Sequence, residues 1–150
     1  MLSSRGPPGA WFNSRVHRLP RIERRRSSIS GWGVYAVDPI VKDTRIVEYK
    51  GQLVRQAEAW RREQRYLPRH RIWIFNIDER WARDAAFGGN VGRYVNHACR
   101  PNCYVEIDGR EIWIVASRRI RAGEELTYDY NTDGEAKIPC RCRPNCRRVL

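Results

Sequence analysis

No stretch of this 150-residue chain approaches the roughly 18–20 consecutive apolar residues that a membrane-spanning helix needs. The first 25 residues hold no apolar core of the kind a cleaved secretion signal carries, so an intracellular protein is expected, in a nucleus or a bacterial cytoplasm. The signatures of common hydrolases and nucleotide enzymes are missing too. There is no G-x-S-x-G, no G-x-x-x-x-G-K-[ST] and no H-E-x-x-H, and the histidines are only His17, His70 and His97. Lysine is scarce: 26 of the 29 basic residues are arginine.

What is present is a globular composition, 41% hydrophobic and 31% charged. At this length it supports one domain with a real core. The net charge of +12 is unevenly spread. Residues 1–26 carry seven Arg against one acid, residues 137–150 carry five basic residues and no acid, and the middle has 17 basic against 16 acidic residues. Such basic ends suit contact with nucleic acid, chromatin or another anionic surface, and plain solubility explains them equally well. Residues 1–26, broken by Gly6, Pro7, Pro8 and Gly9, read as a flexible Arg-rich arm.

From Ile29 the pattern becomes one of short strands. Gly31–Val37 and Thr44–Gly51 are β-branched or aromatic and bounded by turn residues. Residues 54–67 place Ala57, Trp60, Gln64 and Leu67 at helical spacing, with Pro68 as a stop. Arg71–Ile77 reads as a strand, Y-V-E-I and E-I-W-I-V-A-S as a hairpin across Asp108-Gly109-Arg110, and Glu125–Tyr130 as a last strand. The expected fold class is α+β, mainly β, with one short helix.

Four clusters exceed what strands require. Gly31-Trp32-Gly33 lets a backbone approach a ligand closely, although a plain turn explains it as well. Gly89–Cys103 sets Asn90, Asn96, His97 and Asn102 among Gly and Pro beside apolar Tyr94 and Val95, the pattern of a buried polar site. Tyr128 and Tyr130, two apart, share one face of a strand. Cys140, Cys142 and Cys146 form C-x-C-x-x-x-C, which in a reducing compartment reads as thiolate metal ligands, one short of a closed tetrahedral set.

In order, G-W-G-V-Y-A, E-Y-K-G, G-N-V-G-R-Y-V-N-H-A-C-R-P-N, G-E-E-L-T-Y-D-Y-N and C-R-C-R-P-N-C resemble the SET-domain protein lysine methyltransferases over about residues 20–150. The resemblance implies small twisted sheets with a knot-like threading, a SET domain over 27–136 and a post-SET zinc tail over 137–150. It implies S-adenosyl-L-methionine as cofactor, with Gly31, Trp32, Gly33, Trp73, Arg93, Asn96, His97 and Tyr128 as cofactor-contacting positions, His97 through its backbone. Trp73 stands where the family often has Tyr. Tyr130 matches the catalytic tyrosine, Tyr128 the position that tunes how many methyls are added, and Tyr49 a further channel tyrosine. Cys99 of N-H-x-C would complete a zinc set with Cys140, Cys142 and Cys146, although the triplet here is one residue shorter than the family's usual spacing. Cys103 is left as a buried free thiol.

The residue types suit that chemistry. A free lysine has a pKa near 10.4 and is almost wholly charged at pH 7; an aromatic channel beside a sulfonium favours its neutral form. Asp78, Asp84, Asp129, Asp133, Glu124 and Glu125 are candidates for an acidic rim at the channel mouth, with at least half expected to be ordinary turn and surface acids. The expected partner is a protein bearing a target lysine, histone-like or otherwise basic, with no membrane; nothing in the chain selects an oligomeric state. The alternative is a non-enzymatic, zinc-stapled module that binds nucleic acid or chromatin through the basic ends. A plain zinc ribbon would leave the G-W-G and N-H-x-C motifs without a use.

Overall fold

The computed structural model describes residues 18–150, so residues 1–17 of the expected arm lie outside the described residues. Within those residues there are ten short strands and one α-helix. β1 (Ile22–Arg26) pairs antiparallel with β2 (Trp32–Ala36). β3 (Arg45–Glu48), β8 (Cys103–Asp108) and β9 (Glu111–Ala116) form a sheet with β9 in the middle. β4 (Gln52–Arg55), β5 (Ile74–Asn76) and β6 (Trp81–Asp84) form another, with β6 central. β7 (Asn96–His97) and β10 (Thr127–Tyr128) pair in parallel, Asn96 against Thr127 and His97 against Tyr128. This architecture is the expected mainly-β α+β fold.

The main core is aliphatic. Val34, Ile40, Ile46, Val95, Ile114, Ile120 and Leu126 are at most 2% exposed, and burying one such side chain stabilises by about 1.5–3 kcal/mol. β8 and β9 form the expected hairpin, with Asp108 opposite Glu111 and Gly109 in the left-handed region at φ +60°. Gly tolerates that conformation at no steric cost, which allows the two-residue turn.

Several local expectations are corrected. Residues 22–26 are not part of an arm; they are β1. An Arg run shows no alternating apolar pattern, yet β1 gains partners that sequence does not display: the β2 ladder, and Trp32, over whose ring Arg24 and Arg26 lie at 4.4 and 4.1 Å. The helix α1 (Gln56–Tyr66) starts later than expected, because Val54 and Arg55 belong to β4. Its buried face is also different. Ala59 is 1% exposed, whereas Trp60 is 63% exposed.

A buried carboxylate explains the rotation of α1. Asp84 on β6 is fully buried. Its Oδ2 accepts from the Arg62 guanidinium at 2.8 Å and the Tyr66 hydroxyl at 2.9 Å, and its Oδ1 accepts the Ala86 N–H at 2.9 Å. A carboxylate out of water requires such partners. The Arg62–Asp84 pair therefore sets which side of α1 faces the sheet. It turns Trp60, Glu63 and Gln64 toward a cleft instead.

Candidate active site

Two cavities meet at Tyr130 and Ile72. The smaller, about 270 Å³, is walled by Ser30, Gly31, Trp32, Trp73, Arg93, Asn96, His97 and Tyr130, together with Cys140 and Leu150 of the C-terminal tail. The larger, about 710 Å³, is walled by Tyr49, Phe75, Tyr128 and Tyr130, by Trp60 and Glu63 of α1, and by Val105 and Ile107 of β8. Of the expected site residues, Tyr130 alone lines both. Gly31, Trp32, Trp73, Arg93, Asn96 and His97 share the small cavity. Tyr49 and Tyr128 lie in the large one, so Tyr128 does not stand among the residues of the small cavity, and Gly33 lines neither.

Parallel pairing of β7 with β10 brings the polar N-H-x-C segment against the tyrosine segment. Asn102 stitches them further: its Nδ2 donates to the Glu125 carbonyl at 2.8 Å, and its Oδ1 accepts the Thr127 N–H at 2.9 Å. Asn96 ties the same region to the glycine turn. Its Nδ2 lies 2.9 Å from the Trp32 carbonyl and 2.8 Å from Glu125 Oε1. No described residue donates to its Oδ1, which leaves an acceptor on the small cavity.

The two glycines of G-W-G have different reasons. Gly31 sits at φ +44°, a turn requirement. Gly33 makes room for protein rather than for a ligand: a Cβ there would fall 2.2 Å from Glu125 Oε1. Glu125 is a clamp, not a rim acid. It accepts from Ser27 Oγ at 2.8 and 2.9 Å and from the Tyr35 hydroxyl at 3.0 Å, besides Asn96. Asp84 is the helix anchor already described, Asp78 caps the turn at Arg80 and Trp81, and Glu124 pairs with Arg118. Of the six acids expected at the mouth, Asp129 and Asp133 line the large cleft, joined by Glu63 and Glu135. The two Glu were missed because nothing local marks them; only the facing of α1 and the tail loop places them there. Burial and the nearby Asp133 raise the Glu63 carboxyl above its ordinary value.

The tyrosines form a packed group. The Tyr128 ring lies 4.8 Å from Tyr130 and 6.0 Å from Phe75, and Tyr49 lies 5.2 Å from Phe75. Tyr130 donates its hydroxyl to the Val95 carbonyl at 2.7 Å, and Tyr49 donates to the Trp73 carbonyl at 2.9 Å. Among the described residues the Tyr128 hydroxyl has no protein partner. Burial raises all three phenol pKa values well above 10. On the other side, the Arg93 guanidinium lies 5.2 Å from the Trp73 ring and donates to the Tyr94 hydroxyl at 2.8 Å. Trp73 thus supplies an aromatic wall.

The C-terminal tail closes over this region. Ile138 and Leu150 exchange backbone hydrogen bonds at 3.2 and 2.8 Å, and they pack with Cys140 in a cluster that Tyr130 adjoins. The sulfurs of Cys99, Cys140, Cys142 and Cys146 lie within 4.8 Å of one another, with Cys99 at 3.9 Å from Cys140 and 3.8 Å from Cys146. A tetrahedral zinc with Zn–S near 2.3 Å has S···S edges of about 3.8 Å. The shortened C-x-C-x-x-x-C loop therefore closes without difficulty, helped by Asn145 at φ +61°. The Arg148 N–H draws the Cys146 thiol down to about 7, while burial pushes Cys140 up to about 12. Cys103, 1% exposed, donates to Asn102 Oδ1 at 3.4 Å and stands apart from the cluster. Burial lowers the His97 pKa despite the opposing Asp129, which keeps the imidazole neutral at neutral pH.

Comparison with known proteins agrees with the geometry. The SET domain family matches residues 31–131, and the chain belongs to that family. It is 41% identical over 150 aligned positions to a "Histone-lysine N-methyltransferase, H3 lysine-4 specific" of Yarrowia lipolytica, covering 93% of this chain and 13% of that protein. It is 40% identical over 141 positions to "Histone-lysine N-methyltransferase set1" of Dictyostelium discoideum, covering 89% and 10%. Against "Histone-lysine N-methyltransferase 2D" of Homo sapiens it is 44% identical over 134 positions, covering 83% and 2%. The chain thus spans only 2–13% of these relatives' own length. No helix among the described residues is long and apolar enough to cross a membrane.

Proposed function

We propose that this chain is a protein-lysine N-methyltransferase that uses S-adenosyl-L-methionine and acts on a histone-like basic protein, with lysine 4 of histone H3 the first substrate to try. The relatives' names favour that residue. The observation that carries the reading is the position of Tyr130 in the wall shared by two cavities. A group transfer between two bound molecules needs one place where both are reached. A module that only binds nucleic acid or chromatin has no use for such a junction.

The small cavity suits the cofactor. Asn96 Oδ1, which accepts from no described residue, would take its ammonium; the Gly31–Trp32 backbone would border its amino-acid part, and the backbone around His97 its adenine. Bound there, S-adenosyl-L-methionine supplies a methyl made electrophilic by the adjacent sulfonium. The large cleft suits the substrate. Its carboxylates Glu63, Asp133 and Glu135 attract a basic tail, and the aromatic group of Tyr49, Phe75, Tyr128 and Tyr130 strips water from the lysine amine and favours its neutral form. No base stronger than water is required; holding the amine within about 3–3.5 Å of its target, in line, does most of the work. Tyrosines that stay protonated to high pH offer oriented oxygens without introducing a charge.

Cys99, Cys140, Cys142 and Cys146 hold zinc in this reading. The metal fastens the tail that walls the small cavity. The test is incubation with methyl-labelled cofactor and a panel that includes an N-terminal histone H3 peptide and the same peptide with arginine in place of the lysine at its fourth position. Labelling of the first and not the second is expected. Cofactor binding without label in any lysine-bearing protein of the panel would refute the assignment. Metal analysis should give one zinc per chain.

A further inference from the structure

The proposed chemistry uses the backbone around His97 and leaves its imidazole without a task. That ring belongs to a residue only 3% exposed, and it stands edge-on to Tyr130 at a centroid distance of 5.4 Å. Both of its nitrogens are engaged. Nδ1 accepts the Tyr130 backbone N–H at 3.2 Å. That bond selects the tautomer: with Nδ1 accepting, the neutral ring carries its proton on Nε2. Nε2 lies 3.6 Å from Cys99 Sγ. A donor aimed at sulfur gains most when the sulfur is a metal-bound thiolate, whose remaining charge it stabilises. A second link runs beside the first. Arg148 of the tail pairs at 3.1 Å with Asp129, the residue directly before Tyr130, which ties the tail to the same stretch of backbone.

We infer that the His97 imidazole is a positioning residue that couples the four-cysteine metal site to Tyr130, holding the Cys99 thiolate through Nε2–H and the Tyr130 backbone through Nδ1. This rests on the zinc and Tyr130 roles proposed above. It gives the metal a second duty. Besides fastening the tail, zinc fixes Cys99, Cys99 fixes the His97 ring, and the ring fixes the backbone of the tyrosine shared by both cavities.

The two ends of the coupling separate by substitution. In His97→Asn the amide oxygen falls near the Nδ1 position, which keeps the acceptor for Tyr130 and removes the donor to Cys99. In His97→Gln the amide nitrogen reaches the Nε2 position, which keeps that donor and removes the acceptor. Two measurements need no activity: zinc transfer to a chromophoric chelator, and hydrogen exchange at the Tyr130 amide. Loss of such a supporting bond weakens metal binding by about 10–100-fold. His97→Asn should release zinc more readily by that factor with the Tyr130 amide still protected. His97→Gln should hold zinc nearly as wild type, lose protection at Tyr130 and lower kcat with cofactor affinity unchanged. Zinc-stripped wild-type protein should also lose protection at Tyr130, a test that needs no variant. Retained protection after stripping, or variants that do not split the two readouts, would overturn the coupling. A wild-type chain that holds no zinc or transfers no methyl would instead overturn the underlying reading.

Discussion

Gly33→Ala isolates the contact that places Asn96. The backbone at Gly33 lies outside the left-handed region, so alanine there adds no torsional strain. Its cost is steric. The new Cβ would stand 2.2 Å from Glu125 Oε1, 2.8 Å from its Cδ and 3.0 Å from Ser27 Cβ. Relief requires the carboxylate to retreat by about 1 Å, which carries the Oε1 bonds from Asn96 and Ser27, both at 2.8 Å, beyond hydrogen-bonding range. Two bonds to a charged acceptor, taken at the low end of about 1.5 kcal/mol each because the site is only half-buried, give a loss near 3 kcal/mol. For a domain of this size that lowers Tm by roughly 6–12 °C. Cofactor affinity, read by calorimetry, should fall with it, because Asn96 loses the shortest of the bonds that aim its Oδ1 into the cavity. The assay is a double-mutant cycle with Glu125→Ala, followed by thermal unfolding. If the clash is the cause, Gly33→Ala costs little once Glu125 is gone, and the coupling approaches the full loss of about 3 kcal/mol. Equal cost in both backgrounds would refute the reasoning.

Tyr130→Phe should reduce kcat by about 10²–10³-fold with cofactor affinity nearly intact, and should also cost about 1–2 kcal/mol in stability, because the Val95 carbonyl loses its donor; kinetics, calorimetry and melting read the three quantities separately. Tyr128→Phe removes a hydroxyl that has no protein partner among the described residues, so stability should hold while products shift from mainly mono-methylated toward higher methylation, read by mass spectrometry; predominant tri-methylation by the unmodified chain would contradict this. The pH profile of kcat/KM should climb as the substrate lysine loses its proton, with no descending limb below pH 10. Burial raises the Tyr49, Tyr128 and Tyr130 pKa values, so these groups stay neutral throughout that window; a fall between pH 8 and 10 would place an ionising tyrosine in the mechanism.

Features that are local or chemically exacting could be read from the residues alone. The hairpin across Gly109 was legible because its turn needs a positive φ. The C-terminal cysteine triplet was legible because three thiols within seven residues are rare unless used, and the polar N-H-x-C segment because buried Asn and His in short order are costly unless used; Cys99 joined the triplet only through the family resemblance. Facing and pairing emerged only with the packed fold. Nothing in the Arg run of residues 22–26 marks a strand until β2 and Trp32 lie beside it. Helical spacing offered Trp60 as the buried face of α1, but the buried Asp84 carboxylate must be satisfied by Arg62 and Tyr66, and that requirement turned Trp60 and Glu63 into the cleft. Glu125 looked like a rim acid and Gly33 like a ligand contact, whereas the fold sets each against the other. Which carboxylates line the large cleft, and which tyrosine stands between the two cavities, depend on contacts between residues far apart in the chain. Such contacts leave no local periodicity or spacing to read.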